Sequence, residues 1–262
     1  MSPLETLFAP VVLAVQLAVP VHPGSIAADP RDFPVHGKTL TLQVYRPAGM
    51  PKGTVIMASG DVGWVGLAAG LAKFLSREGY IVVGVNTRRY LAAFRTGKTH
   101  LLVTDPPADF LAMAAWLDQQ QLLVEPVVVS GVSEGAAIAV LAAASPENHE
   151  WLRGVITMGL PPVAELAWRW TDMRSWITKR DAREPSFAPK DVIASVSPVP
   201  LVMIQSTRDE YVSQADYELL EAAAAAPKKL VLIDARNHRF TNRRSELRMA
   251  YLAALDWVLD PR

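Results

Sequence analysis

The chain has 262 residues, and its 26 basic and 26 acidic side chains give a formal net charge of zero. This balance provides no electrostatic footprint for nucleic acid, so a nucleic-acid partner is not expected. The sequence contains no cysteine, which excludes disulfides, thiolate nucleophiles and cysteine-based metal sites, and its five dispersed histidines predict neither a metal site nor a cofactor.

The N-terminal segment, residues 1–37, has two interpretations. Residues 7–21 are mostly apolar but include Pro10 and Pro20, and the stretch is too short for a transmembrane helix. It has the apolar character of a signal peptide, although no Lys or Arg precedes it. We therefore expect either a signal segment that is removed or an extension packed on the domain.

The rest of the chain, residues 38–262, alternates between strand and helix patterns. Residues 38–45 alternate apolar and polar side chains, as a half-buried strand does, and the later strand candidates are short apolar runs. Helix ends are indicated by residues such as Pro106 and Gly79. This alternation predicts one α/β domain with a mostly parallel central sheet and helices on both faces. In chain order we predict strands 38–45 and 54–59, helix 67–78, strand 81–86, helix 105–121, a strand from 127, a helix after 133, strands 154–158 and 200–205, helix 213–226, strand 229–234 and helix 245–259.

Residues 161–198 interrupt the alternation. They contain Trp168, Trp170, Trp176 and several charges, and they show no clear strand. We predict that they form a small cap-like insertion over the carboxyl edge of the sheet.

A Gly-x-Ser-x-Gly motif connects a predicted strand to a predicted helix. Three valines at 127–129 precede Gly131, Ser133 and Gly135, and a run of small apolar residues follows them. A strand, a sharp turn carrying serine and a helix together form the nucleophile elbow of α/β-hydrolases. Side chains at the two glycine positions would collide with nearby backbone in so tight a turn. The motif therefore predicts the α/β-hydrolase fold, with Ser133 as nucleophile.

Asp209 and His238 complete a catalytic triad in the expected chain order. A serine hydroxyl needs an adjacent base, and the base needs an acid that orients it. In α/β-hydrolases the acid and then the histidine follow strands downstream of the serine. Asp209 follows the strand that ends at 205, and His238 follows the strand that ends at 234. Glu210 is the main rival for the acid, and Asp234 is a weaker one.

The oxyanion formed during acyl transfer needs hydrogen-bond donors. One donor is normally the backbone N–H after the nucleophile, here that of Glu134, and the other comes from the loop after an earlier strand. In the loop at 59–64, Asp61 is our candidate and Val62 the alternative. The glycines at 60, 63 and 66 do not have the spacing of a dinucleotide-binding loop, and the following strand does not end in an acidic residue.

Four side chains near these loops are candidates for substrate binding. Trp64, Tyr90 and Trp168 are candidates for lining a substrate pocket, and ordinary packing is the alternative for each of them. The carboxyl group of Glu134 could bind a cationic group such as a substrate ammonium. The alternative is a carboxylate that is simply stabilised by the helix dipole.

Several of these segments together resemble the VirJ and AcvB family of bacterial virulence factors, within the α/β-hydrolase superfamily. The resemblance covers most of the chain from about residue 40 onward. It implies a periplasmic serine hydrolase linked to cleavage of lysyl-phosphatidylglycerol, with Ser133 as nucleophile, His238 as base and Asp209 as acid. The matching segments are the loop at 59–64, the strand at 82–86 with Tyr90 after it, the motif at 131–135, Asp209 and His238.

The sequence thus favours a carboxylic ester hydrolase that forms an acyl-enzyme on Ser133, with a small-molecule or lipid ester as substrate. An acyltransferase or an amidase would use the same triad, and an aminoacyl-phospholipid is the alternative substrate. A non-catalytic binding protein on a hydrolase scaffold is the alternative from a different class. If residues 1–37 are not a signal, the cytoplasm replaces the periplasm as the expected location.

Overall fold

A mixed sheet lies at the centre of the computed structural model, which describes residues 27–93, 101–167 and 186–260. Within those ranges, eight strands pair into one sheet and two short strands pair separately. The strands are β1 (Asp29–Val35), β2 (Lys38–Tyr45), β3 (Thr54–Ala58), β4 (Ile81–Val85), β5 (Val127–Val132), β6 (Leu152–Met158), β7 (Ala164–Glu165), β8 (Ser186–Phe187), β9 (Leu201–Ser206) and β10 (Lys228–Ile233).

The order of the strands in the large sheet is β1-β2-β4-β3-β5-β6-β9-β10. The β1–β2 and β2–β4 pairs are antiparallel, and all the other pairs are parallel. The predicted mostly parallel sheet is therefore confirmed. Because parallel strands end at the same edge, the loops after β3, β5, β6, β9 and β10 lie at one edge of the sheet.

Helices cover both faces of this sheet, as predicted. Side chains of β3 alternate between the faces, so Val55 and Met57 join one apolar core and Ile56 and Ala58 join the other. In the described ranges, no helix has the length and apolar character needed to cross a membrane. The helices are α1 (Gly66–Arg77), α2 (Thr87–Ala93), α3 (Asp105–Gln119), α4 (Glu134–Ala143), α5 (Gln214–Ala223) and α6 (Arg244–Leu259), with 3₁₀ turns at Pro146–Glu150, Pro189–Asp191 and Ile193–Val196. Helices α1 and α6 pack in one core, and α3, α4 and α5 pack in the other.

The β5–α4 unit is the most deeply buried part of the fold. Every residue of β5 is buried, and so is every residue of α4 from Gly135 onward. A helix that is apolar on all sides can be stable only when neighbouring elements surround it. The small side chains of α4, five of which are alanine at 136, 137, 139, 142 and 143, allow this close packing. The turn between β5 and α4 is therefore held at the centre of the sheet edge.

The strand β1 was not predicted, because residues 1–37 were interpreted only as a signal segment or a packed extension. Its two prolines lie on an edge strand, where a missing N–H is tolerated, and β1 pairs with β2 along its whole length. A polar cluster ties this hairpin to the helices. The Nε2 atom of His36 lies 2.8 Å from Oδ1 of Asp109, and the hydroxyl of Tyr90 donates to Oδ2 of Asp109 at 2.6 Å.

The insertion predicted at 161–198 is described only at its two ends. Contrary to the sequence analysis, the ends contain strands: β7 and β8 form a two-residue antiparallel pair. Two-residue strands are too short to produce a recognisable alternation in the sequence. Trp168, Trp170 and Trp176 lie outside the described residues, so the substrate role predicted for Trp168 stays a prediction.

Candidate active site

Ser133 lies at a strained turn between β5 and α4. Its φ is 53° and its ψ is −122°, a conformation that non-glycine residues rarely adopt. The two neighbouring glycines permit the turn. A Cβ on Gly131 would lie 2.0 Å from the carbonyl oxygen of Gly135, and a Cβ on Gly135 would lie 2.3 Å from the carbonyl oxygen of Ser59. The geometry is that of a nucleophile elbow.

Ser133 is bordered by the loops that follow β3 and β6. Its backbone N–H donates to the carbonyl of Met158 at the end of β6, at 2.9 Å. A Cβ on Gly60, just after β3, would lie 3.5 Å from the Cβ of Ser133. The serine side chain therefore lies between the loops of the two strands that flank β5.

Asp209 and His238 form a close pair in the adjoining loops. The Nδ1 atom of His238 lies 2.6 Å from Oδ2 of Asp209, whose side chain is fully buried. The other carboxylate oxygen accepts the backbone N–H groups of Tyr211 at 2.8 Å and Val212 at 3.1 Å. Since an ionised carboxylate only accepts hydrogen bonds, this arrangement assigns the imidazole proton to Nδ1 and leaves Nε2 as an acceptor.

The imidazole of His238 lies directly against the backbone of Gly159. A Cβ on Gly159 would lie 2.5 Å from Cε1 and 3.2 Å from Nε2 of the ring. Gly159 follows Met158, which accepts the N–H of Ser133, so the serine and the imidazole contact consecutive residues at the end of β6. The Nε2 atom is buried and has no hydrogen-bond partner among the described residues. Catalytic hydrogen bonds are often long in resting sites and tighten when substrate binds.

The two rival acids occupy other positions. The carboxylate of Glu210 accepts the backbone N–H of His238 at 2.8 Å and so holds the main chain rather than the ring. Asp234 forms an ion pair with Arg208 at 2.8 Å and accepts a hydrogen bond from the hydroxyl of Thr207 at 3.1 Å. Neither rival carboxylate therefore orients the imidazole.

The loop after β3 presents the candidate oxyanion donors. A turn closed by the N–H of Gly63 donating to the carbonyl of Gly60, at 3.0 Å, places Asp61 one residue after the contact with Ser133. Glu134 is the first residue of α4, where backbone N–H groups have no partner inside the helix. The N–H of Glu134 thus belongs to the residue after Ser133, and the N–H of Asp61 belongs to the residue after Gly60, which contacts Ser133.

Two carboxyl groups lie beside this turn and influence each other. The carboxyl of Glu134 accepts the backbone N–H of Glu165, in β7, at 2.7 Å. Burial raises the pKa of Glu134 to about 8, and the neighbouring charges of Asp61 and Glu165 act in the same direction. Burial also raises the pKa of Asp61, although the backbone N–H of Val62 and the charge of His238 oppose this shift. The site therefore has an acidic side next to the nucleophile.

Two of the predicted substrate contacts are packing residues instead. Tyr90 is fully buried and hydrogen-bonded to Asp109, so the prediction that it binds substrate was wrong. The indole of Trp64 donates to the hydroxyl of Tyr45 at 3.0 Å, and its ring covers Gly84, where a Cβ would lie 2.2 Å from the ring. Trp64 is thereby directed onto β4 rather than toward the nucleophile. The position of a residue after a strand did not reveal which way its side chain points.

Two residues beside His238, Tyr211 and Gly159, were not predicted from the sequence. The ring of Tyr211 meets the imidazole of His238 edge to face, with centroids 5.4 Å apart and an interplanar angle of 80°. Its position two residues after Asp209 was a usable signal, because it shares the loop of the predicted acid. No pattern in the sequence indicated the contact of Gly159. Across residues 27–93, 101–167 and 186–260, no cluster of three or more His, Asp or Glu side chains could hold a metal.

A comparison with protein families gives one match. The model of the family described as bacterial virulence protein (VirJ) matches residues 53–254. No curated protein matches the chain.

Solved structures of low sequence identity share the fold. An alpha/beta hydrolase, GrgF from Penicillium, superposes with a TM-score of 0.65 at 13% identity, covering 89% of this chain and 98% of that one. The esterase domain of a Rhodothermus marinus protein gives 0.61 at 18% identity, covering 89% and 98%. The dienelactone hydrolase from Anabaena variabilis gives 0.58 at 20% identity, covering 87% and 97%. The chain therefore has the α/β-hydrolase fold.

Proposed function

This chain belongs to the VirJ family of bacterial virulence proteins, and from that premise we propose that it hydrolyses carboxylic esters through an acyl-enzyme on Ser133. The observation that carries the proposal is the 2.6 Å contact between His238 and Asp209 beside a serine held in a strained elbow. A buried acceptor on Nδ1 prepares Nε2 to receive a proton, which is the property that a serine nucleophile requires.

In the first half of the reaction, Ser133 attacks the carbonyl carbon of the ester. The Oγ–carbon bond forms while the hydroxyl proton passes to Nε2 of His238. The backbone N–H groups of Glu134 and Asp61 receive the negative oxygen of the tetrahedral intermediate. The carbon–oxygen bond to the alcohol then breaks, and the proton on Nε2 moves to the departing alcohol oxygen.

In the second half, water replaces the alcohol. Nε2 of His238 takes a proton from the water as its oxygen bonds to the acyl carbon. The bond to Ser133 then breaks, and the same proton returns to Oγ as the free acid leaves. Asp209 stabilises the imidazolium in both halves without accepting its proton.

The test of this function is turnover of p-nitrophenyl esters from acetate to decanoate. Wild-type protein should release acid and nitrophenol, and Ser133→Ala should lose at least about 10³-fold in kcat. Ser245→Ala, which alters an exposed serine on α6, is the matched control and should keep wild-type turnover. Full activity in Ser133→Ala would contradict the proposal, and an acyltransferase would instead give the transfer product of an added alcohol or amine in large excess over the free acid.

The acidic pair supports a second candidate, an ester hydrolase specific for cationic aminoacyl groups. The charge of Asp61 raises the pKa of Glu134, the residue that follows Ser133. A substrate ammonium between them would relieve that repulsion, as the lysyl group of an aminoacyl-phospholipid would do. The alternative is a partly buried, protonated Glu134 that only accepts the backbone N–H of Glu165 and binds no ligand.

Two esters with the same four-carbon side chain, one with and one without a terminal ammonium, distinguish these cases: the p-nitrophenyl esters of Nα-acetyl-lysine and Nα-acetyl-norleucine. The second candidate predicts a higher kcat/KM for the lysine ester, with a preference that increases as pH rises through about 8, where Glu134 ionises. Glu134→Gln keeps an acceptor for the N–H of Glu165 but removes the charge, so the increase with pH should disappear. Equal kcat/KM values for the two esters would exclude the cationic specificity.

A further inference from the structure

The loop after β9 is fixed to the catalytic histidine at several points. Asp209 binds the imidazole, and the next residue, Glu210, accepts the backbone N–H of His238. The backbone N–H groups of Tyr211 and Val212 both donate to Asp209. The main chain of Tyr211 is therefore held at a set distance from the imidazole.

The side chain of Tyr211 has no evident structural role. Its ring contacts the imidazole of His238, but the residue is 68% exposed and its hydroxyl has no hydrogen-bond partner among the described residues. A large aromatic residue that is this exposed contributes little buried area to the fold. Exposed apolar surface beside a functional site is often used for binding.

The chemistry of the proposed reaction defines what Tyr211 can contact. His238 must protonate the departing alcohol oxygen, so the alcohol portion of the ester passes next to the imidazole. The backbone of Gly159 already closes one side of that ring. The ring of Tyr211, 5.4 Å from the imidazole centroid, is an exposed surface beside it. An alcohol next to the imidazole would therefore lie within reach of Tyr211.

The loops around the nucleophile add further apolar surface. Val62 follows β3 and is 40% exposed, and Val163 follows β6 and is 56% exposed. Together with Tyr211 after β9, they place exposed apolar side chains on three loops at the edge of the sheet that carries Ser133. An apolar alcohol would find a compatible surface there, whereas a small polar alcohol would gain little.

We propose that Tyr211 binds the alcohol portion of the substrate and makes the enzyme prefer esters of aromatic or bulky apolar alcohols. This inference rests on the proposed ester hydrolysis and specifies the substrate class of that site. Tyr211 would act by direct contact with the substrate, through its ring rather than through its hydroxyl.

Acetate esters of two alcohols test the inference. Benzyl and ethyl acetate have the same acyl group and alcohols of similar leaving ability, so their ratio of kcat/KM reports contacts to the alcohol. Tyr211→Ala should lower kcat/KM for benzyl acetate by roughly five- to tenfold, the range of an aromatic contact, and change that for ethyl acetate less than about twofold. Tyr211→Phe should keep the wild-type ratio. Met249→Ala, an equally exposed residue on α6, is the matched control and should also keep it.

The outcomes separate this inference from the proposed function. Equal losses for both esters in Tyr211→Ala, or no loss for either, would overturn the role of Tyr211 while leaving ester hydrolysis intact. If wild-type protein hydrolyses no ester, ester hydrolysis fails, and serine labelling tests Tyr211 independently. Diethyl 4-nitrophenyl phosphate and diethyl fluorophosphate leave the same group on Ser133 but expel nitrophenol or fluoride. Tyr211→Ala should slow only the first reagent, and an unchanged ratio of labelling rates, or no labelling of wild type, would overturn the inference.

Discussion

At the scale of single residues, two adjacent acids differ in the part of His238 to which each is hydrogen-bonded. Asp209 accepts from the ring of His238, and Glu210 accepts from its backbone. Asp209→Asn should lower kcat by about 10⁴-fold, because an amide in this position no longer selects the productive tautomer or stabilises imidazolium. Glu210→Gln keeps a carbonyl acceptor and should stay within about tenfold of wild type. Steady-state kinetics on a p-nitrophenyl ester would measure both, and the reverse ranking would assign the acid to Glu210.

A second prediction at this scale concerns the backbone against which the imidazole lies. Gly159→Ala would place a methyl group 2.5 Å from Cε1 of His238 and displace the ring, so kcat should fall by roughly 10²-fold. Gly66→Ala is the matched control, because Gly66 has nearly the same φ, 59° against 60°, but open space around it. The two variants share the strain of alanine at a positive φ, and only Gly159→Ala adds the clash with the imidazole. Equal activity in both would show that the contact with the imidazole is unimportant.

At the scale of elements, two helical glycines have opposite roles. Gly70 in α1 has open space where a Cβ would be, whereas a Cβ on Gly135 in α4 would meet the backbone of β3. Gly70→Ala should raise the free energy of unfolding by about 0.5–1 kcal/mol, the helix-propensity difference between the two residues. Gly135→Ala should lower it by at least about 2 kcal/mol through overpacking. Denaturant unfolding of both variants measures these changes, and a stable Gly135→Ala protein would mean that α4 can move away from the sheet.

The same scale shows what a sequence can and cannot reveal. The positions of Ser133, Asp209 and His238 at one edge of the sheet could be predicted, because each of them follows a strand with a clear apolar pattern. The strand β1 was missed because residues 1–37 were treated as one segment outside the domain, and its two prolines do not produce an alternating pattern although an edge strand tolerates them. Tyr90 was misassigned because helix α2, which turns its ring into the core, gave no separate signal after β4. Contacts between loops, such as that of Gly159, depend on tertiary geometry alone.

For the molecule as a whole, Glu134 makes stability depend on pH. Its pKa is about 8 in the folded protein and near 4.5 in the unfolded chain, so the folded state keeps the proton over a wider range. Stability is highest where both states are protonated and falls as pH rises from about 5 to 8. Over this interval the unfolding free energy of wild type should therefore drop relative to that of Glu134→Gln by at least about 1 kcal/mol. This figure is smaller than the full pKa shift implies, because Glu134 is partly exposed to solvent. Parallel pH dependences of the two proteins, measured by urea unfolding, would show that Glu134 ionises normally.

The positive φ of Ser133 sets the stability of the fold against the proposed catalysis, because the residue that the reaction needs is not the one that the backbone favours. Serine at a φ of 53° stores strain of about 1–3 kcal/mol, whereas glycine adopts this conformation readily. Ser133→Gly would release part of that strain, offset in part by the greater freedom of glycine in the unfolded chain, and would remove the nucleophile. Under selection for stability alone, Ser133 would be among the first residues to be substituted. A lineage that kept the scaffold but no longer needed the reaction would be expected to lose its serine here before any other part of the triad.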